Sequence, residues 1–422
     1  MRAHGFPVAL ALAVTAFLIS TIAAAERTDV FVQSRNIPAI AYDSTPGTDP
    51  VARFATRLKN GTATLTYNPD NGYLSSFLDA FHLARESQML VFSQTSFQST
   101  YINVKNPRAI YFNDSLAVAW IRGAPHIEIA AQDPRQGVEF YVIDQTNPRQ
   151  PIIARDITCL ACHLTWDTLG VPGMITQSVQ PLPDENSYVI GFPTNHASPF
   201  AQRWGGWYVT GSDGRLPHMG NIPVTPEDKG KLTVPDPHEL ASVDGLFDPK
   251  GYQTRYSDVA ALLVFNHQTY MTNLITRIGW EARAADAAPS PEGQARVTAA
   301  AHDLVDYMLF IDEEPLPHPV SGASGFAAKF SAQGPFDSQG RGLHQLDLQH
   351  RTLKYPCSYM IYSDAFDALP AMAKQAVYRR LWEVLSGRET GTRYAHLTKA
   401  DRDAILQILR ETKKDLPDFF RS

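Results

Sequence analysis

The chain of 422 residues contains only three cysteines, and two of them stand in the segment Cys159-Leu-Ala-Cys162-His163. Two thiols separated by two residues and followed directly by a histidine are typical of c-type haem attachment, in which both thiols add to vinyl groups of the porphyrin. The histidine then lies beneath the iron as its proximal ligand. We therefore expect one covalent haem c, held by Cys159 and Cys162 and ligated by His163, with the chain wrapped around it.

Three other interpretations of this motif have less support. A zinc site would need a second pair of closely spaced ligands, which the sequence lacks. A thioredoxin-like redox pair would leave the histidine unexplained, and chance occurrence is the third alternative. Because the motif occurs once, a peroxidase with two covalent haems is excluded. We expect the third cysteine, Cys357, to be a small buried residue, with a haem thiolate, a covalent link to a neighbouring group or a redox role as alternatives.

The first 25 residues have the pattern of a cleavable signal peptide. Arg2 precedes an uncharged apolar run over residues 8–22, and Ala23-Ala-Ala25 then supplies the small residues of a cleavage site. The run of roughly 15 residues is shorter than the ~20 that cross a bilayer, although an uncleaved anchor is the alternative. We expect cleavage after Ala25, a periplasmic or otherwise exported protein, and no membrane span in the mature chain.

The charge composition limits the partners. The chain has 37 Lys and Arg against 43 Asp and Glu, a net charge of −6. Nucleic acids and anionic membranes are bound largely through clustered positive charge, so we expect a periplasmic redox partner or a small-molecule substrate instead. The sequence also lacks a nucleophile elbow, a Walker A loop, a dinucleotide fingerprint and an HExxH motif. Hydrolases and nucleotide-dependent enzymes therefore have no support.

The spacing of apolar residues predicts an α+β fold. A β-rich region over residues 26–153, with short runs separated by turn residues, predicts an antiparallel meander. The haem attachment region, residues 154–255, has long loops rich in Pro and Gly, and residues 256–422 are helical. Predicted strands lie at 63–67, 89–92, 109–112, 116–121, 126–130, 138–143, 188–192 and 207–210. Predicted helices lie at 51–58, 73–84, 258–285, 293–311, 325–333, 371–385 and 399–409, with Asp258 and Thr398 among the expected caps.

The second axial ligand of the iron decides between two kinds of function, and the sequence leaves several candidates. Met219 lies in a tight polar loop and is the first candidate. His196, in a similar loop, is the second, followed by His218 and Met174. An open or water-bound position is the alternative.

Two further side chains are singled out near these loops. Arg203, in the segment Arg203-Trp-Gly-Gly-Trp-Tyr208, is a candidate partner for a haem propionate, with ordinary aromatic core as the alternative. His267 lies in a predicted helix, where we expect a buried and hydrogen-bonded side chain rather than a ligand.

Several segments carry a resemblance to known proteins. They are Ser96-Phe-Gln98, Asn106 to Asp114, Cys159 to His163, Gly170-Val-Pro-Gly173, Arg203 to Gly211, His218-Met-Gly-Asn221 and Tyr355-Pro-Cys-Ser-Tyr359. Together they resemble an uncharacterised family of exported bacterial monohaem proteins, described as cytochrome c domain-containing, over nearly the whole mature chain. The resemblance implies haem binding and electron transfer but no particular substrate. That family often has Asp where this chain has Asn195, so no acid–base role is implied for Asn195.

Two functions of different classes follow as expectations. The first is electron transfer in the periplasm. The single haem and the downstream Met and His residues favour it. The alternative is a haem enzyme, similar to a peroxidase or an oxygenase, in which the extra chain builds a pocket over an open iron. Arg203, His196 and His218 would then be the distal acid–base candidates, because O–O bond chemistry needs a proton donor and positive charge. Sensing through the haem is a third hypothesis without a feature of its own.

Overall fold

The computed structural model describes residue 31 and residues 33–179, 191–222, 239–389 and 391–420. It confirms the α+β class, because a seven-stranded antiparallel sheet occupies the first half of the chain and helices dominate the second. The expected signal peptide, residues 1–25, lies outside the described residues. Within the described ranges, no helix is both long enough and apolar enough to cross a membrane.

The sheet is built from consecutive strands, as the sequence predicts. Each of the strands β1 to β5 pairs antiparallel with the next one along the chain, up to β6, so the predicted meander is confirmed. Strand β9 pairs with the outer edge of β1 and completes the sheet, whereas β7 and β8 form a separate hairpin-like pair. The strands are β1 Met89–Val91, β2 Arg108–Phe112, β3 Leu116–Trp120, β4 His126–Asp133, β5 Gly137–Asp144, β6 Ile153–Arg155, β7 Thr176–Val179, β8 Gly191–Thr194 and β9 Trp207–Tyr208.

Large and small side chains alternate along the central strands, so the two faces of the sheet differ. In β3, Val118 and Trp120 enter a core shared with the N-terminal helices. Ala117 and Ala119 face the opposite way, toward the C-terminal helices, and the register places Ala130 of β4 opposite Ala117. The small alanines leave space on this second face of the sheet.

The helices of the second half surround one long buried helix, α4. Asp258 caps it by accepting hydrogen bonds from the backbone N–H groups of Ala260 and Ala261, and a capping box of Thr398 and Asp401 starts α9. Both predicted caps are confirmed. The helices are α1 Pro50–Lys59, α2 Leu74–Ala80, α3 Leu160–His163, α4 Val259–Ala287, α5 Pro291–Met308, α6 Phe326–Ser331, α7 Asp364–Asp367, α8 Ala371–Leu385 and α9 Lys399–Thr412.

Two local predictions are wrong. Residues 63–67 form no strand: the backbone N–H of Thr66 donates to the Ser76 hydroxyl instead of to a neighbouring strand. The helix predicted over 73–84 ends at Ala80, because His82 adopts a left-handed conformation at φ +53° and the Leu83 N–H turns back to the Leu78 carbonyl. Of the segment 188–192, residues 188–190 lie outside the described residues.

Candidate haem-binding site

A short turn followed by one helical turn presents the motif side chains together. The Asp156 carboxylate accepts from the backbone N–H and the hydroxyl of Thr158, at 3.0 and 2.6 Å, and so starts a 3₁₀ turn. Helix α3 continues directly from that turn. As a result Cys159, Cys162 and His163 line the same cavity.

The cavity lies between the alanine-bearing face of the sheet and α4, and its volume is about 420 Å³. This lies in the range of ~300–1,000 Å³ that is usual for cofactor sites. Most of its large lining side chains are apolar or aromatic. They are Phe97, Ile110, Phe140, Met174, Ile175, Trp207 and Phe265. A flat, mostly apolar cofactor fits the chemistry of this lining.

His163 is oriented by the backbone behind it. Its Nδ1 lies 2.9 Å from the carbonyl oxygen of Gly173, and its ring packs on Phe140 with centroids 4.7 Å apart. Because a carbonyl oxygen only accepts, Nδ1 carries the proton and Nε2 keeps its lone pair. Histidine ligands of metals are commonly held in this way through their second nitrogen. The described geometry therefore suits His163 to bind an iron through Nε2.

The loop behind His163 is fixed to α4 by one side chain. The Asn273 amide accepts from the Met174 N–H at 2.9 Å and donates to the Met174 carbonyl at 2.8 Å. A Cβ atom on Gly173 would lie 2.2 Å from the Asn273 Oδ1. Only glycine at position 173 lets the loop approach the helix this closely, so Gly173 and Asn273 are positioning residues for His163.

The Cys159 thiol has little of the character expected in a redox dithiol. Burial, followed by the charges of Asp156 and Glu128, raises the pKa of Cys159 to about 12. Disulfide exchange needs the thiolate and therefore a lowered pKa. Among the described residues, no three His, Cys, Asp or Glu side chains meet as a metal cluster. Neither the redox-pair nor the zinc interpretation gains support.

Of the candidates for the second axial ligand, only Met174 lines the cavity. It directly follows Gly173, whose carbonyl oxygen lies 2.9 Å from the His163 Nδ1. The loop that orients His163 therefore also brings Met174 to the cavity lining.

The structure does not bring Met219 or Arg203 to the cavity lining. The Met219 N–H donates to the Arg203 carbonyl. The Arg203 guanidinium is buried over the Phe200 ring and donates to the carbonyls of Ser198 and His196, at 2.8 and 2.7 Å. Burial lowers its pKa to about 10. The contacts of the Arg203 guanidinium are thus with its own loop.

The histidines proposed as distal residues are engaged elsewhere. His196 and His267 share a hydrogen bond between their Nδ1 atoms at 2.9 Å. The His267 Nε2 lies 2.8 Å from the Ser358 hydroxyl oxygen, which matches the expected hydrogen-bonded histidine. The His218 Nε2 lies 2.9 Å from the Asp213 carboxylate. None of these histidines lines the cavity.

Cys357 is fully buried in the core that contains α4. Burial raises the pKa of its thiol to about 12, and Cys357 does not line the cavity. This placement agrees with the expectation of a small buried residue.

Two charged residues of the cavity, Arg108 and Glu128, are absent from the sequence-based candidates. They lie on β2 and β4, and their Nη1 and Oε2 atoms are 3.5 Å apart. The strand register places each on the same face as the apolar residue Ile110 and the small residue Ala130. A lone charge on the inward face of a buried strand is the signal that could have revealed them.

We compared the chain with protein-family models, with curated proteins and with solved structures. None of the three comparisons found a match. The resemblance to exported monohaem proteins therefore stays a prediction. Its segments at 96–98, 106–114, 159–163 and 203–211 each contribute residues to the cavity lining.

Proposed function

We propose that this chain is an exported c-type haem protein with one haem, attached at Cys159 and Cys162 and ligated by His163. The observation that carries the proposal is the Gly173 carbonyl on the His163 Nδ1, beside a cavity that both motif thiols line. In that arrangement Nδ1 is hydrogen-bonded, and Nε2 keeps the lone pair with which it would bind iron. When bound, the haem supplies redox chemistry and an iron that can take a further ligand.

The same geometry favours an iron with one face open to a small molecule. Met174 directly follows the glycine that holds His163, and the described lining offers no His or Met besides these two residues. Its polar side chains elsewhere are those of Arg108, Glu128 and neighbouring Gln, Ser and Thr residues. Peroxidase- or oxygenase-like chemistry, which needs an open coordination position, is therefore the use of the haem that the geometry supports best.

Electron transfer is the second candidate, and the position of the motif favours it. Cys162 is exposed and Cys159 is partly exposed, so the haem edge that they hold would lie close to the protein surface. Trp166, three residues after His163, is 69% exposed beside them. An accessible haem edge with an apolar side chain next to it suits the brief docking of a periplasmic redox partner.

The first experiment tests covalent attachment. The mature chain is produced in a bacterial periplasm with the c-haem maturation machinery, and haem is measured after denaturation by gel staining and by intact mass. We expect the mass of one haem. Cys159→Ala and Cys162→Ala each lose one thioether bond, and the double variant loses covalent haem altogether. Cys357→Ala is the matched control and keeps it.

An optical titration then separates the two uses. A high-spin ferric spectrum and rapid uptake of carbon monoxide by the ferrous form support the open iron face. A low-spin spectrum without a response to carbon monoxide supports electron transfer through an iron with two protein ligands. A wild-type chain that carries no haem after denaturation would overturn the proposed function.

A further inference from the structure

Arg108 lines the cavity and carries a hydrogen-bonding group without a partner in the described structure. Its Nε is fully buried and has no hydrogen-bond partner in the described structure, while its side chain as a whole is 14% exposed. Leaving a buried polar donor unpaired is unfavourable, and the cost is larger when the group is charged. The Arg108 side chain lines the cavity, so an anion there would offset part of the cost of burying the guanidinium charge.

Glu128 does not satisfy Arg108, because other groups hold its carboxylate. Its Oε1 accepts from the Ser96 hydroxyl and from the Gln98 side-chain amide, both at 3.0 Å. Only its Oε2 faces the guanidinium, at the long distance of 3.5 Å. Gln98 is itself tied to the backbone of His126 through two hydrogen bonds. Glu128 therefore positions the guanidinium without occupying its Nε.

The charges of this pair act close to His163. Arg108, Glu128 and His163 all line the same cavity. An anion held in that cavity would therefore share it with a cationic side chain.

We propose that Arg108 is the anion-binding residue of this cavity, held in place by Glu128. The anion is a small ligand of the iron or a carboxylate of the haem itself, and both would accept hydrogen bonds from the guanidinium. This inference rests on the proposed function, because both kinds of anion need the bound haem. Arg108 thereby takes the role that the sequence suggested for Arg203.

The test uses the mature holoprotein and the variants Arg108→Gln and Arg108→Lys, with Arg122→Gln as the control. Arg122 lies on the β3–β4 connection, pairs with Asp248 at 2.9 Å and does not line the cavity. Azide is titrated into the ferric protein, and the midpoint potential is measured without azide. Covalent haem content and urea unfolding are recorded for each variant, so that only folded and loaded protein is compared.

The two sources of the anion give different results. If a small ligand is bound, Arg108→Gln weakens azide binding about 10- to 100-fold, the effect of losing one hydrogen bond to a charged group. If the haem carboxylate is bound, azide affinity changes little and the midpoint potential of Arg108→Gln falls, because a positive charge near the haem is lost. Arg108→Lys is intermediate and Arg122→Gln matches the wild type in either case.

The two proposals fail in different ways. A wild type without covalent haem contradicts the proposed function. If the haem is present and Arg108→Gln matches the wild type in both azide affinity and midpoint potential, the role of Arg108 is wrong. Failure of azide to bind the wild type excludes the small-ligand source. The midpoint potential of Arg108→Gln then shows whether Arg108 binds the haem carboxylate.

Discussion

A single backbone carbonyl fixes which ring nitrogen of the motif histidine carries the proton. The Gly173 oxygen accepts from the His163 Nδ1, and the position of Gly173 depends on the two hydrogen bonds between Asn273 and Met174. The orientation of the candidate iron ligand therefore depends on a helix residue 110 positions further along the chain. This dependence of a local motif on α4 can be tested at Gly173.

Replacing Gly173 by Ala should disturb both the loop and the histidine. The added methyl group would overlap the Asn273 Oδ1, and overpacking of this kind costs roughly 1–3 kcal/mol. We expect a lower free energy of unfolding by urea and a changed ferric spectrum. Gly279→Ala is the control, because its methyl group would lie 3.3 Å from a Leu369 methyl carbon. An unchanged spectrum in Gly173→Ala would contradict the positioning role.

At the scale of elements, the cavity exists because strands β3 and β4 carry small side chains on the face that lines it. Ala117, Ala119 and Ala130 stand where neighbouring strands carry larger residues, and these alanines line the cavity. Helix α4 closes the space from above with Phe265. The cavity thus depends on the alternation of small and large side chains within the strands.

A larger side chain on the sheet side of the cavity should prevent haem binding without destabilising the fold. In Ala119→Leu the larger side chain enters existing space, so we expect haem-free protein of unchanged or higher unfolding free energy. The yield of covalent haem should fall several-fold, as measured by gel staining per amount of protein. Ala154→Leu, on the exposed side of β6, is the control and keeps its haem. A normal haem yield in Ala119→Leu would place the haem elsewhere.

The buried histidine pair between α4 and the loop at residue 196 should make the protein sensitive to acid. Burial lowers the pKa of His267 to about 3 from 6.5, and burial together with His267 lowers the pKa of His196. The unfolded chain then binds more protons than the folded chain below pH 6.5, so stability falls with decreasing pH.

The replacement His267→Gln removes one of these protonation sites. Between about pH 7 and about pH 5, the wild type should lose about 2 kcal/mol more unfolding free energy than His267→Gln, as expected for one buried histidine. Urea unfolding at both pH values measures the difference. His350→Gln is the control, since the His350 side chain is 87% exposed. Equal acid sensitivity of wild type and His267→Gln would show that buried His267 does not cause the loss of stability at low pH.

At the scale of the whole molecule, the sheet of the β-rich region is continued by residues that lie after residue 153. Strand β9 comes from beyond that boundary and pairs with β1. Helix α4 covers one face of the sheet through a continuous core, and the Trp280 indole donates to the Gln136 carbonyl. The sheet is therefore completed by later parts of the chain.

A fragment of residues 26–153 should not fold by itself. It would expose the apolar face that packs on α4 and the edge of β1, and such surfaces favour association over a stable monomer. When urea unfolding is monitored by circular dichroism, we expect the fragment to aggregate or to show a non-cooperative transition. The chain of residues 26–422 should unfold cooperatively. A monomeric fragment with cooperative unfolding would show that the β-rich region is a domain of its own.

The sequence by itself determined the α+β class, the consecutive strands of the meander, the helices and their caps at Asp258 and Thr398. These features depend on side-chain periodicity and local hydrogen bonds, which neighbouring residues control. The motif at residues 159–163 predicted the cofactor for the same reason, since its chemistry needs only adjacent residues.

Only the tertiary structure decided which distant side chains meet at the motif. Arg108, Glu128 and Asn273 are brought there by strand register and by the packing of α4, whereas Arg203, Met219 and His196 are held elsewhere. The loops that carry the latter three have no periodicity from which their direction could be predicted. Contacts between residues far apart in the chain follow from the packing of the whole core, and that packing is what placed Gly173 behind His163 and Arg108 in the cavity.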